Sequence, residues 1–104
     1  MKTIIKEVVK NLVEGNYHKV IEESKEKRGN PDDIKSEIMS YPGNISLPPD
    51  TAYEDYESYD IENKNEKIVD FYLWFDGEKS DLMIQILVYT DKRGAYSFWD
   101  ILVP

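Results

Sequence analysis

The sequence predicts an α+β domain: two or three N-terminal helices packed on one face of a three- to four-stranded antiparallel meander. Apolar residues recur at helical spacing in the first 41 positions, and apolar alternation runs through the stretch Ile68 to Tyr89 on either side of a polar turn. At 104 residues the chain has room for a single core. Residues 1–41 are the helical part of this one domain, 42–67 a loop-rich connection and 68–104 the β-meander.

In residues 2–14, Ile4, Ile5, Val8, Val9, Leu12 and Val13 share one side of a helix, opposite Lys6, Glu7, Lys10 and Asn11. Gly15 supplies the stop, and Asn16 is suited to cap a second helix running to about Lys27, with Tyr17, Val20 and Ile21 inward. Its wholly polar later turn, Glu22 to Arg28, is expected to project into solvent. A third helix starts after Asn30 as cap and Pro31 at its first position, where the missing N–H costs nothing. Asp32 and Asp33 oppose its positive end, and Ile34, Ile38 and Tyr41 form its inner side.

Asn44 to Asp50 reads as a short extended piece with Ile45 and Leu47 on one face, closed by a double proline. Tyr53, Tyr56 and Tyr59 then recur every third residue among Glu54, Asp55, Glu57 and Asp60. On a helical turn they form an aromatic stripe beside an acidic face, with Glu62 to Lys67 a mobile loop. Two readings of this stripe stay open, packing against the sheet or exposure as a binding surface rich in tyrosine.

In the first long strand, Val69, Phe71, Leu73 and Phe75 share a wholly apolar face; in the second, Leu82, Ile84, Ile86 and Val88 do. These faces are expected on the helices. The opposite face carries Tyr72, Trp74, Met83, Gln85 and Tyr89, joined by Trp99. Contiguous aromatics there imply either an interface or burial beneath residues 50–67. Asp76 to Ser80 forms the turn, Asp91 to Gly94 a second one, and Ala95 to Val103 the last strand.

The chain carries 21 acidic against 13 basic residues, a net charge of −8, and no cysteine. Such a field repels phosphate backbones and steers basic partners; the single basic run, Lys25 to Arg28, contains a glutamate. Nucleic acid is therefore set aside as a partner. Lack of cysteine fits a reducing compartment, with the cytoplasm as the default, and the N-terminal apolar run is broken by charges, unlike a signal segment or membrane span.

Chemistry-bearing sets are few. Asp76, Glu78, Asp81 and Ser80 offer oxygen ligands, but the loop lacks the length and terminal glutamate of a calcium-binding hand. His18 stands alone as the one histidine, without triad partners. Asp70 and Asp100 can meet Glu62 or Glu66, yet paired carboxylates need a concave, dry site to split their acidities. No catalytic, cofactor-binding or metal residues are assigned.

The run Leu73-Trp74-Phe75-Asp76-Gly77-Glu78-Lys79-Ser80-Asp81-Leu82, with Trp99-Asp100-Ile101-Leu102-Val103, resembles a family of small bacterial domains of unknown function. That family pairs a Leu-Trp strand, a glycine turn, a Ser-Asp-Leu strand start and an Asp-Ile-x-Val-Leu-type ending, from which Asp100-Ile101-Leu102-Val103 departs. The resemblance implies an α+β domain of immunity type. The functional expectation is thus a non-enzymatic module for a basic protein partner, using Tyr53, Glu54, Asp55, Tyr56, Glu57, Tyr59, Tyr72, Trp74, Gln85 and Tyr89. A small-ligand or enzymatic domain with a pocket between helices and sheet, and a homodimer, are the alternatives.

Overall fold

The computed structural model describes residues 1–104. Helices α1 (Lys2–Val13), α2 (Tyr17–Glu22) and α3 (Pro31–Ser40) precede strands β1 (Ile45–Ser46), β2 (Glu57–Asp60), β3 (Glu66–Phe75), β4 (Glu78–Tyr89) and β5 (Tyr96–Leu102). The strands form one antiparallel sheet in which β3, β4 and β5 are successive neighbours. On its other side β3 pairs with β1 at Phe75 and Trp74, and with β2 from Lys67 to Asp70. The α+β arrangement is the expected one, and the short strand at Ile45 is present; the sheet gains a fifth strand at β2.

The core lies between the helices and one face of the sheet. Val69, Phe71, Leu73 and Phe75 are buried with Leu82, Ile84, Ile86 and Val88, against Ile5, Val8, Leu12, Val20, Ile34 and Ile38. Every residue assigned to the two apolar strand faces is therefore in the core. Burying each such side chain contributes about 1.5–3 kcal/mol, which is why alternation dictates the register.

Several local expectations are corrected. Asn16 makes no capping bond; its side chain donates instead toward Glu14. Asn11 is buried rather than on the polar side of α1, and its amide nitrogen has no partner. The β3–β4 turn is two residues rather than five: Asp76 (φ 52°) and Gly77 (φ 77°) both take the left-handed conformation that fits a two-residue hairpin. Asp76 is held there because its carboxylate accepts from the Asn44 N–H at 3.1 Å and its own N–H donates to the Asn44 carbonyl at 2.8 Å.

The largest correction concerns residues 23–28. α2 stops at Glu22, and the polar run that follows lies along the outer edge of β5 through its backbone and the buried Ser24, while its charged side chains are exposed as expected. Lys25 N–H donates to the Tyr96 carbonyl (2.9 Å), Glu26 N–H to Ser97 Oγ (2.8 Å), and Phe98 N–H donates to Ser24 Oγ (2.9 Å). Ser24 Oγ in turn donates to the Val20 carbonyl at 2.8 Å, completing a buried link from helix to strand. A helix continued to Lys27 would leave these edge groups without partners, and buried backbone polar groups are costly unpaired. Gly29 permits the tight return, since a Cβ there would sit 3.2 Å from Ile21 and 3.3 Å from Phe98.

Candidate functional site

No helix lies over the second face of the sheet, and its register sets out what that face presents. Glu57 is opposite Asp70, Asp70 opposite Gln85, and Gln85 opposite Asp100, so three carboxylates and one amide form a row across β2, β3, β4 and β5. Gln85 Nε2 donates to Asp70 Oδ1 at 3.0 Å, while Asp100 Oδ1 accepts from the Ile101 N–H at 2.8 Å. Like charges on neighbouring strands disfavour one another. The amide interposed between Asp70 and Asp100 relieves that repulsion and leaves the row acidic.

Aromatic residues flank the row. Tyr72 pairs with Met83 on one side, and Tyr59 lies opposite Ile68 on the other. Tyr59 is half exposed, and its hydroxyl donates to the Glu57 carboxylate. That hydrogen bond, followed by desolvation and the Glu57 charge, pushes the Tyr59 hydroxyl up to about 12. Trp74, Gln85 and Tyr89 are partly buried, whereas Met83 and Leu87 between them are buried, a correction to the expectation that Met83 lines the open surface. Tyr89 is fixed by a 2.9 Å hydrogen bond to Ser97.

The 53–59 stripe does not exist as a helix face. Asp50–Glu54 is a single 3₁₀ turn, after which the chain straightens into β2. Tyr53 goes to the helix side, buried and stacked on Phe71 at 5.7 Å, and burial together with the nearby Asp50 charge raises the pKa of its hydroxyl. Glu54 pairs at the surface with Lys2. Tyr56 is half-buried at the margin of the core and, with Asp55, Asp70, Tyr72 and Lys79, lines a cleft of about 90 Å³. Residues 57–60 extend the sheet sideways instead of folding over its second face, and the mobile loop expected from Glu62 to Lys67 gives way to a tight hairpin turned by Asn63 (φ 63°), with β3 already begun at Glu66.

Two features of this face escaped the sequence reading. Lys79, in the residues taken as turn, lies opposite Trp74; its ammonium is 2.9 Å from Asp55 Oδ2 and 5.2 Å from the Tyr72 ring centre. It reaches them because β4 is bulged: Tyr72 pairs with Met83 and Trp74 with Lys79, so Leu73 faces Ser80, Asp81 and Leu82. Ser80 Oγ bridges the irregularity, donating to the Leu73 carbonyl (2.6 Å) and accepting from the Leu82 N–H (3.1 Å). A signal for it existed in the spacing: two residues inserted between Lys79 and Leu82 keep both apolar faces in phase.

The other carboxylate sets are taken apart. Asp76 is tied to Asn44 and Asp81 accepts from the Tyr41 hydroxyl. Glu66 lies opposite Tyr89, two residues along β3 from the Tyr59–Ile68 pair, and does not join Asp70 and Asp100. Between α3, the strap formed by residues 23–28 and β5 is a cleft of about 530 Å³ lined by Asp33, Glu37, Asp100 and Trp99, with Arg28 stacked 3.8 Å above the Trp99 ring. No helix is long and apolar enough to cross a membrane.

Comparison with known proteins bears on family alone. No curated protein and no solved structure matches the chain. Residues 9–104 match the family described as Domain of unknown function (DUF7668). The chain therefore belongs to that family of uncharacterised domains.

Proposed function

We propose that this domain is a non-enzymatic binding module whose helix-free sheet face docks a basic protein, in the manner of an immunity-type inhibitor. The observation that carries the reading is the Glu57–Asp70–Gln85–Asp100 row with Tyr59 and Tyr72 on either side. Tyrosine supplies contact area at low entropic cost, and carboxylates between aromatic rings suit a lysine or arginine side chain. The net charge of −8 supports the same sign of partner and disfavours nucleic acid. A cytoplasmic site of action is part of the proposal.

The test is capture of a partner from the source cell, followed by titration of the purified partner over a range of salt. Glu57→Lys with Asp100→Lys is expected to abolish capture and flatten the salt dependence, because both acids sit on the face. Glu14→Lys with Glu62→Lys makes the same change in net charge away from the row and is expected to leave capture intact. Equal loss in both pairs would reduce the effect to overall charge; retention in both would end the proposal.

A second reading is favoured by one observation, the cleft between α3 and β5 with its Arg28–Trp99 stack. A small anion or aromatic ligand there would be held by the guanidinium. Thermal shift against a metabolite panel separates it, since saturation at a hundred times the dissociation constant stabilises by about 2.7 kcal/mol. A shift lost in Arg28→Met and kept in Glu57→Lys supports the cleft.

A further inference from the structure

The two outer edges of the sheet are finished differently. Along β5 the edge is partly capped: the Tyr96 carbonyl and Phe98 N–H are bonded to the strap, the Ser97 side chain receives the Glu26 N–H, and the Ile101 N–H is bonded by the side chain of its own neighbour Asp100. A bulge at Trp99, where Gln85 pairs with Asp100 but Ile86 with Phe98, twists what remains. β2 has none of these devices. Its four residues Glu57, Ser58, Tyr59 and Asp60 are all exposed, it is unbulged and contains no proline.

Backbone alternation identifies the free groups. Ile61 N–H donates to the Glu66 carbonyl at 3.0 Å, and the register carries that bonded pairing to Tyr59–Ile68 and Glu57–Asp70. The N–H and carbonyl of Ser58 and Asp60 therefore point away from β3. None of the loop, cap or turn hydrogen bonds involves residues 57–60.

We infer that β2 is a strand-addition site for a basic extended segment of a partner protein. The open edge supplies main-chain bonds, and the charge supplies the choice of occupant. An added strand shares the uncovered face with Glu57 and Tyr59, so its face-directed residues lengthen the Glu57–Asp70–Gln85–Asp100 row by one position. Asp60 is matched across the sheet by Lys67 at 3.4 Å, while Glu57 has a tyrosine hydroxyl as partner and no cation. A second copy of this chain would bring another Glu57 and Asp60 to the edge, so self-pairing meets like charge. Lysine or arginine alternating with β-branched residues meets the opposite. The sign of the partner's charge rests on the reading of the acidic face above; the free edge does not.

The test uses the full chain and a blocked eight-residue peptide alternating Lys or Arg with Thr or Val, followed by amide hydrogen exchange and titration. Protection of the Ser58 and Asp60 amides by at least tenfold is expected, with affinity falling at least tenfold in Ser58→Pro, which removes an outward N–H and leaves the β2–β3 ladder in place. A peptide N-methylated on alternate amides makes the same point without altering the protein. Binding that leaves both amides unprotected, or survives both changes, overturns strand addition while the acidic-face reading stands. Absence of binding at millimolar peptide also overturns strand addition, and the face is then judged by the Glu57/Asp100 reversal alone. Equal binding of a Glu-for-Lys peptide, or protection of the edge by self-association without peptide, overturns the basic occupant.

Discussion

Ser24 and Tyr96 show how single polar atoms tie the helices to the sheet. Ser24 is buried, giving its proton to Val20 and receiving the Phe98 N–H, so Ser24→Ala leaves a buried strand N–H unpaired. That is expected to cost about 1–3 kcal/mol in urea unfolding, against little for Ser36→Ala on an exposed face. The Tyr96 hydroxyl donates to the same Val20 carbonyl at 3.2 Å, and burial, with Glu23 and Glu7 adding to it, raises its pKa above the ordinary 10.0. The unfolded chain then releases this proton first as pH rises. Tyr96's contribution is whole below pH 10 and is lost as pH climbs through the folded-state value. Tyr96→Phe is therefore expected to lower stability by about 1 kcal/mol at pH 8 and to reduce the slope of stability loss above pH 10, followed by denaturation at several pH values. An unchanged alkaline slope would mean the hydroxyl ionises freely in the fold. Neither Ser24 nor Tyr96 announces its role in sequence, because the group each one bonds is 74 or 76 positions away.

Elements with a repeating pattern were legible, and elements made by pairing were not. The 69/71/73/75 and 82/84/86/88 sets carry period two without interruption, and α3 carries a cap, a first-position proline and two early acids; each stands as read. β2 was missed because tyrosine at every third position imitates a helical face, while Glu57-Ser58-Tyr59-Asp60 has no β-branched apolar residue to mark a strand. Its conformation is imposed by β3 across a short turn. The same holds for the strap, whose polar composition is that of a solvated helix end. Of the ten residues expected to bind a partner, Glu57, Tyr59, Tyr72, Trp74, Gln85 and Tyr89 are placed by the register on one side of the sheet. Tyr53 and Glu54 are not, since the double proline and the 3₁₀ turn aim that segment at α1.

At the scale of the molecule, a small α+β domain leaves one sheet face without helices, with Glu57, Asp70 and Asp100 on it and Asp60 on the adjoining edge. Edge carboxylates also act as guards against self-pairing. Glu57→Val with Asp60→Thr removes the guards and raises strand propensity, so concentration-dependent dimers are expected by light scattering where the wild type stays at one mass. Adding Ser58→Pro to that variant should restore the single mass, and dimers that persist would place the contact elsewhere. The strap across β5 sets how far such association can go. Endless stacking of sheets requires each subunit to offer two joining edges, one for the copy before and one for the copy after. With β5 closed by its own chain, each copy has one, so pairing through β2 is a two-fold, self-terminating event. The segment from Ser24 to Arg28 is in that sense an end-stop, holding the domain's worst assembly error to a dimer rather than a fibre.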